Sequence, residues 1–359
     1  MAKIISIVSG KGGAGKSLLT AVIGRALGRE GKDVLIVDLD IFVRGLTVLL
    51  YSFRAPSVEK KLTVSDLLGV FSEGSQYRGP IDLDIGSDLT IEKFLEVDVL
   101  PSVERINFPL DYDDRSLSDE GFCISVLKAM IKKVEGSYDY IFLDNRAGMD
   151  SLVSASCRVS NVVLSVAEDD EVARQTDYNL VQFLQNKKIA PSVYSVVNKG
   201  RNITQAHQID DVSNSRHNFG SLGSIPFDIE ILNGFGSTHF WDSIFSSIYF
   251  YGVIKAWNKL AEIESLDNIT KTKYQFPPMI FMAETAGRYS TLERILRLYG
   301  IVASIAGIVF IFYKRNPDFF TKDPTLLVGI ATIVLGVFAL FLSTSGLEQF
   351  LGSRRHKGR

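Results

Sequence analysis

The sequence predicts an α/β fold, a mostly parallel sheet flanked by helices, followed by a C-terminal pair of apolar helices. Three observations lead there. Short β-branched runs such as KIISIV (residues 3–8) and KDVLIVD (32–38) are nearly all apolar, the pattern of strands buried on both faces. Between them Ser17–Arg29 repeats Leu18, Val22, Ala26 and Leu27 at helical spacing, with Gly31 placed to stop the helix. After Leu298 the composition changes, and two long uncharged stretches follow.

The first forty residues therefore read as a βαβ unit, which calls for a parallel sheet covered on both faces. Residues 45–115 are less regular, with a short capped helix at LTVSDLL (62–68) and a strand at LEVDVLP (95–101). Asp119–Val134 carries apolar residues at 122, 123, 126, 127, 130, 131 and 134, a helical stripe leading into the strand YIFL (140–143) and Asp144. Further strands are predicted at 161–166, 193–197 and near 222–225, with helices between them and after Phe240. No repeat of fixed period is present. The expected domain order is an α/β domain (1–263), a linker (264–294), two membrane-spanning helices within 295–343 (about 297–313 and 325–342) and a basic tail (344–359). The linker holds a Pro-Pro pair, yet Tyr274, Phe276, Ile280 and Phe281 give it something to pack.

Composition narrows the function. A net charge of −2 over 359 residues advertises no general nucleic-acid surface. Two isolated cysteines and four histidines without ligand spacing predict neither a zinc nor an iron–sulfur site. The first apolar run, Ile4–Val8, is too short for a secretory signal.

VSGKGGAGKSLLT (8–20) carries the chemistry. Gly10–Ser17 fits G-x-x-x-x-G-K-[ST] between a strand and a helix. Glycines let backbone N–H groups converge on phosphate oxygens, and the helix N-terminus adds its positive end. Lys16 then neutralises the β- and γ-phosphates and Ser17 offers its hydroxyl to Mg2+, so ATP and Mg2+ are the expected ligands. Gly10, Gly12, Gly13, Ala14, Gly15, Lys16, Ser17 and Leu18 form the predicted cradle.

KGGAGKS resembles the deviant Walker A motif of the MinD/ParA ATPases, a P-loop NTPase family of the SIMIBI class. That resemblance spans roughly residues 1–260 and implies several roles. Lys11 maps onto the family's signature lysine, which crosses a homodimer interface to the other subunit's nucleotide, so Lys11, Lys16 and Asp40 become the catalytic candidates. In VLIVDLD, Asp40 positions the attacking water, and Asp38 supports that water or the magnesium shell; DIFVRGL after it resembles MinD itself. YIFLD resembles a Walker B strand, with Asp144 reaching Mg2+ through water; Ser17, Asp38 and Asp144 are thus the metal set. Asn198 in YSVVNKG reads the adenine edge, and Pro226 in GSIPFD lies near the base. One departure stands out: the second switch, D-x-P-x-G in the family, reads DNRAG here, with Arg146 at the proline position.

Within the class, redox carriers need paired cysteines, which are absent. Bacterial tyrosine kinases need an arginine where Phe42 stands and a tyrosine-rich tail, and no tyrosine follows Tyr313. DNA-binding partition proteins need basic surfaces.

Leu298–Tyr313 and Thr325–Leu342 are apolar all round, though short against the ~20 residues a spanning helix needs. Arg288, Arg294 and Arg297 precede them and Arg354, Arg355, Lys357 and Arg359 follow, which predicts a hairpin with both ends in the cytoplasm. Gly329, Thr332, Gly336, Ala339 and Ser343 form a small-residue seam on the second helix. The rival reading is a buried helical hairpin. Together these observations predict a multi-pass inner-membrane protein, in contact with the lipid bilayer, whose cytoplasmic ATPase domain dimerises with ATP and recruits, positions or regulates a protein partner. Two alternatives are an ATPase powering membrane-protein targeting, insertion or transport, and an ATP-binding scaffold with little turnover.

Overall fold

Alternation along the strands decides how the sheet is covered. In β1 (Lys3–Val8) Ile5 and Ile7 face one core; in β2 (Val34–Asp38) Val34 and Ile36 join them, while Leu35 and Val37 face a second core on the other side. Successive side chains point to opposite faces, so an unbroken apolar strand requires cover on both. Helix α1 (Lys16–Arg29) supplies part of the first cover, burying Leu19, Val22, Ile23, Ala26 and Leu27.

The computed structural model describes residues 1–51, 62–69, 71–72, 89–103, 110–111, 118–200, 220–234 and 239–276. After β2 the chain forms α2 (Gly45–Tyr51), α3 (Val64–Leu67) and β3 (Phe71–Ser72). The pair β4 (Glu92–Phe94) and β5 (Val97–Leu100) comes next, then β6 (Leu110–Asp111), α4 (Glu120–Val134) and β7 (Tyr140–Asp144). The second half runs α5 (Ser151–Val159), β8 (Val162–Glu168), α6 (Glu171–Asn186), β9 (Val193–Gly200) and β10 (Gly220–Pro226). It continues through α7 (Ile229–Gly234) and α8 (Phe240–Ser243) to α9 (Ile248–Glu264). Among the described residues, eight strands form one sheet in the order β10-β9-β8-β1-β7-β2-β5-β4, parallel except for the β4–β5 edge hairpin.

Aspartates N-cap α4, α5 and α6: Asp119, Asp150 and Asp170 each accept the backbone N–H three residues on. The short helix at 64–67 is closed by a capping box between Thr63 and Asp66. The strand expected at 95–101 begins two residues later, because Leu95 takes a left-handed φ of 54° in the turn from β4. The β3–β6 ribbon and α2 have no signal in the sequence strong enough to place them.

The chain divides into two compact units, Met1–Ile280 and Phe281–Arg359. Of the expected linker, residues 264–276 are described. Leu266, Tyr274 and Phe276 pack against the core, Tyr140 Oη donates to Asp267 at 2.7 Å, and Lys273 pairs with Glu30. Both predicted membrane helices, 297–313 and 325–342, and the tail lie outside the described residues.

The expectation of a multi-pass inner-membrane protein is corrected: among the described residues no helix is long and apolar enough to cross a membrane. The apolar helix α9 illustrates the reason. Its 17 residues carry Lys255, Lys259, Glu262 and Glu264, and such a length reaches only about 25 Å against a hydrocarbon core of about 30 Å.

Candidate functional site

Strand register builds the site. Asp38 and Asp144 end adjacent parallel strands directly opposite one another, and Ile7 of β1 is opposite Asp144 on its other side. The carboxyl ends of three strands thus finish level, at the edge where open α/β sheets bind ligands. Residues 9–15 turn over this edge into α1. Gly15 adopts φ 87°, and a Cβ there would stand 2.4 Å from Asn198 Nδ2. A Cβ on Gly10 would stand 2.7 Å from the Thr176 carbonyl on α6. Only glycine satisfies both constraints. Gly12 and Gly13 face open space.

Lys16 opens α1 and is buried, with Nζ donating to Ser9 Oγ at 2.9 Å while Ser9 Oγ donates to the Lys11 carbonyl. Burial lowers the Lys16 pKa, and the charges of Asp144 and Asp40 pull it back up. Asp144 is fully buried; Oδ1 accepts from Thr20 Oγ1 at 3.2 Å, and Oδ2 has no hydrogen-bond partner among the described residues. Burial pushes its pKa up to about 6, against the Ser17 and Thr20 hydroxyls and the Lys16 charge.

Asp38 is buried too, but its oxygens are filled. Oδ1 accepts from Asp40 N at 3.0 Å; Oδ2 accepts from Thr47 N at 2.8 Å, Thr47 Oγ1 at 2.6 Å and Ser102 Oγ at 3.3 Å. Burial first, then the Asp144 charge, pushes the Asp38 pKa up to about 7. Half-buried Asp40 accepts Val43 N at 3.0 Å, which curls the loop after β2 back on itself.

These groups suit a hard cation. The Ser17 hydroxyl and the unfilled Asp144 oxygen are oxygen donors of the type Mg2+ prefers. Among the described residues no three His, Cys, Asp or Glu side chains gather into a cage.

A second polar cluster lies on the rim. Lys11 Nζ pairs with Asp170 at 2.9 Å and Glu168 at 3.2 Å within the same chain, and these carboxylates raise its pKa. Lys199 donates to the Gly13 carbonyl at 2.7 Å and pairs with Glu168. Asn198, opposite Glu168 in the β8–β9 register, donates from Nδ2 to the Ala14 carbonyl at 2.7 Å. Pro226 pairs with Gly200 at the end of β10, and a Cβ on Gly252 of α9 would meet its ring at 2.4 Å. Leu18 packs against the core beneath α1.

The structure thus brings Lys16, Ser17, Asp38, Asp40 and Asp144 together, joins Asn198 to the glycine loop, and holds Lys11 in the rim cluster. Sequence reasoning missed Thr20, Thr47 and Ser102, neutral hydroxyls with no motif, and missed Glu168, Asp170 and Lys199, although the acidic run EDDE (168–171) was visible. Arg146 pairs with Asp150, and its guanidinium lies over the Phe42 ring at 4.8 Å.

Comparison with known proteins gives a family and a fold. Residues 2–192 match the AAA domain family. The septum site-determining protein MinD of Synechocystis is 29% identical over 152 residues, covering 42% of this chain and 47% of that protein. An uncharacterized ATP-binding protein of Methanocaldococcus jannaschii is 30% identical over 166 residues, covering 45% and 52%. The chain spans about half the length of these curated relatives. Among solved structures, MinD of Aquifex aeolicus superposes with a TM-score of 0.52 at 21% identity, covering 73% of this chain and 97% of that one. A plasmid partition protein of Borrelia burgdorferi bound to AMPPNP gives 0.55 at 17% identity, covering 73% and 100%. At such identities these structures speak for the fold.

Proposed function

The chain belongs to the AAA domain family, and on that premise we propose that it is a MinD/ParA-like, Mg2+-dependent ATPase that acts as a nucleotide switch in positioning or partitioning a protein partner. The observation that carries this reading is the buried Asp144 Oδ2, an acceptor without a donor beside Ser17 and Lys16. An orphaned buried carboxylate oxygen is costly, and a hydrated cation relieves it.

Each residue has a task. The loop N–H groups and Lys16 bind the β- and γ-phosphates, Lys16 exchanging its bond to Ser9 for phosphate oxygen. Ser17 and Asp144 would hold Mg2+, which would supply positive charge to the phosphate oxygens. Asp40 orients a water whose oxygen forms a bond to the γ-phosphorus as the bond to the bridging oxygen breaks, giving ADP and phosphate. Asp38 braces the loop carrying Asp40 through its bonds to Asp40 N and Thr47. Asn198 and Pro226 frame the base.

Lys11 works in the homodimer. It leaves Glu168 and Asp170 and reaches the nucleotide of the second copy, so that ATP becomes part of the interface and favours the dimer by linkage. Support comes from the motif resemblance and from a side chain already 41% exposed.

Sedimentation with ATP and Mg2+ tests the switch, alongside phosphate release. Wild type dimerises and turns over; Lys11→Ala stays monomeric while still binding nucleotide. A wild-type chain that remains monomeric with saturating ATP and Mg2+ refutes the reading.

A further inference from the structure

The loop after β7 is pinned at both ends but carries a half-buried charged group in its middle. Asn145 is buried, its Nδ2 lying within hydrogen-bond distance of Ser6 Oγ (2.8 Å), the Leu143 carbonyl (3.0 Å) and the Ile7 carbonyl (3.1 Å), which share its two N–H groups. Gly148, at φ 88°, donates its N–H to the Ser9 carbonyl at 2.9 Å. Between these anchors Arg146 reaches out of its own loop to two places. Its Nε pairs with Asp150, the carboxylate that N-caps α5, and its guanidinium covers the ring of Phe42.

Phe42 sits two residues after Asp40 in a loop with its own internal ties. Val43 N donates to Asp40 Oδ1, Arg44 N donates to the Asp40 carbonyl, and Arg44 holds a left-handed φ of 59°. A displacement of Phe42 is therefore felt at Asp40. Guanidinium over an aromatic face is a directional contact, and the pairing with Asp150 fixes the guanidinium from its other side.

We propose that Arg146 is a positioning residue whose contact with Phe42 clasps the loop after β2 to the loop after β7, so that Asp40 and Gly148 move as one body. This rests on the ATPase reading of the site. The clasp does in this chain what a stiff backbone residue at position 146 would do: it limits how far the two loops drift apart before the phosphate arrives. Its absence leaves nucleotide binding, carried by the glycine loop and Lys16, largely intact. Asp40 is then misplaced, and small misplacements of an orienting group lower turnover steeply.

The test uses the full chain and four variants: Arg146→Ala, Arg146→Lys, Phe42→Leu and the double variant Arg146→Ala/Phe42→Leu. Arg146→Ala lowers kcat about tenfold or more with KM for ATP changed by less than about twofold. Arg146→Lys, which keeps charge but not the planar stack, recovers only part of the loss. Phe42→Leu acts like Arg146→Ala, and the double variant is no worse than either alone. Hydrogen exchange without nucleotide gives a readout independent of hydrolysis: each single variant speeds exchange in both 41–47 and 145–149. Exchange raised only in the altered loop, or losses that add in the double variant, overturns the clasp. A wild-type chain with no turnover refutes the ATPase reading alone, and the exchange data still judge the clasp.

Discussion

Two polar clusters crown the same sheet edge and behave in opposite ways. At the end of β2 and β7, Asp38 and Asp144 are fully buried, and burial pushes their pKa values up to about 7 and about 6. On the rim, Glu168 and Asp170 are partly exposed and held below the usual carboxylate range, Glu168 chiefly by Lys199 and Asp170 chiefly by the Ala173 N–H. The rim cluster is complete in itself: each of these carboxylates faces an ammonium. Its deep counterpart retains an acceptor that nothing among the described residues fills. Satisfied groups hold a loop in place, whereas an unsatisfied one in a buried setting marks where a ligand belongs.

Lys16→Ala is the harshest way to break that contrast. It removes a buried ammonium facing the deep carboxylates and weakens ATP binding by about a hundredfold or more, measured by calorimetric titration. Asp40→Ala comes next: turnover falls by about a hundredfold while ATP-bound dimers persist in sedimentation. Unchanged turnover removes its assigned role.

Titration sharpens the comparison. Between about pH 4 and about pH 7 the folded protein keeps protons on Asp38 and Asp144 that the unfolded chain has lost, so stability of the nucleotide-free protein falls as pH rises. The rim acts with the opposite sign in a different window. The depressed values of Glu168 and Asp170 add stability above the ordinary carboxylate range, which is lost as pH falls through their folded values. Melting of the nucleotide-free chain from about pH 5 to about pH 7 therefore shows a decline, and Asp38→Asn flattens it. A rising or flat wild-type profile contradicts the raised values of Asp38 and Asp144.

The smallest effect belongs to the rim. Glu168→Gln weakens contacts on a partly solvated rim and shifts the denaturation midpoint little, because such pairs are screened. A large loss of stability there means that the rim is part of the structural core after all.

Much of this arrangement was legible in the sequence. Unbroken apolar runs gave the strands, and the spacing of Gly10, Gly15, Lys16 and Ser17 located the glycine loop. Asp38 and Asp144 announced themselves by ending two such runs, and pairing in register then placed them side by side. What stayed hidden depends on contacts between distant segments. Thr47 and Ser102 approach Asp38 only because α2 and the end of β5 fold over it. The cis partners of Lys11 come from a strand end more than 150 residues away, since the hydrogen bonds to Glu168 and Asp170 span 157 and 159 residues. No local pattern reports either. The apolar runs after Leu298 led from composition alone to membrane spans; they lie outside the described residues, among which no helix is long and apolar enough to cross a membrane.

Equilibrium binding of ATP to wild type and Asp144→Asn, with and without Mg2+, bears most directly on the deep cluster. Wild type binds ATP tightly only when Mg2+ is present, and Asp144→Asn loses that dependence while retaining the weaker, metal-free affinity supplied by Lys16 and the glycine loop. Equal affinity of the wild-type chain with and without Mg2+, or a Mg2+ dependence unchanged in Asp144→Asn, contradicts the assignment.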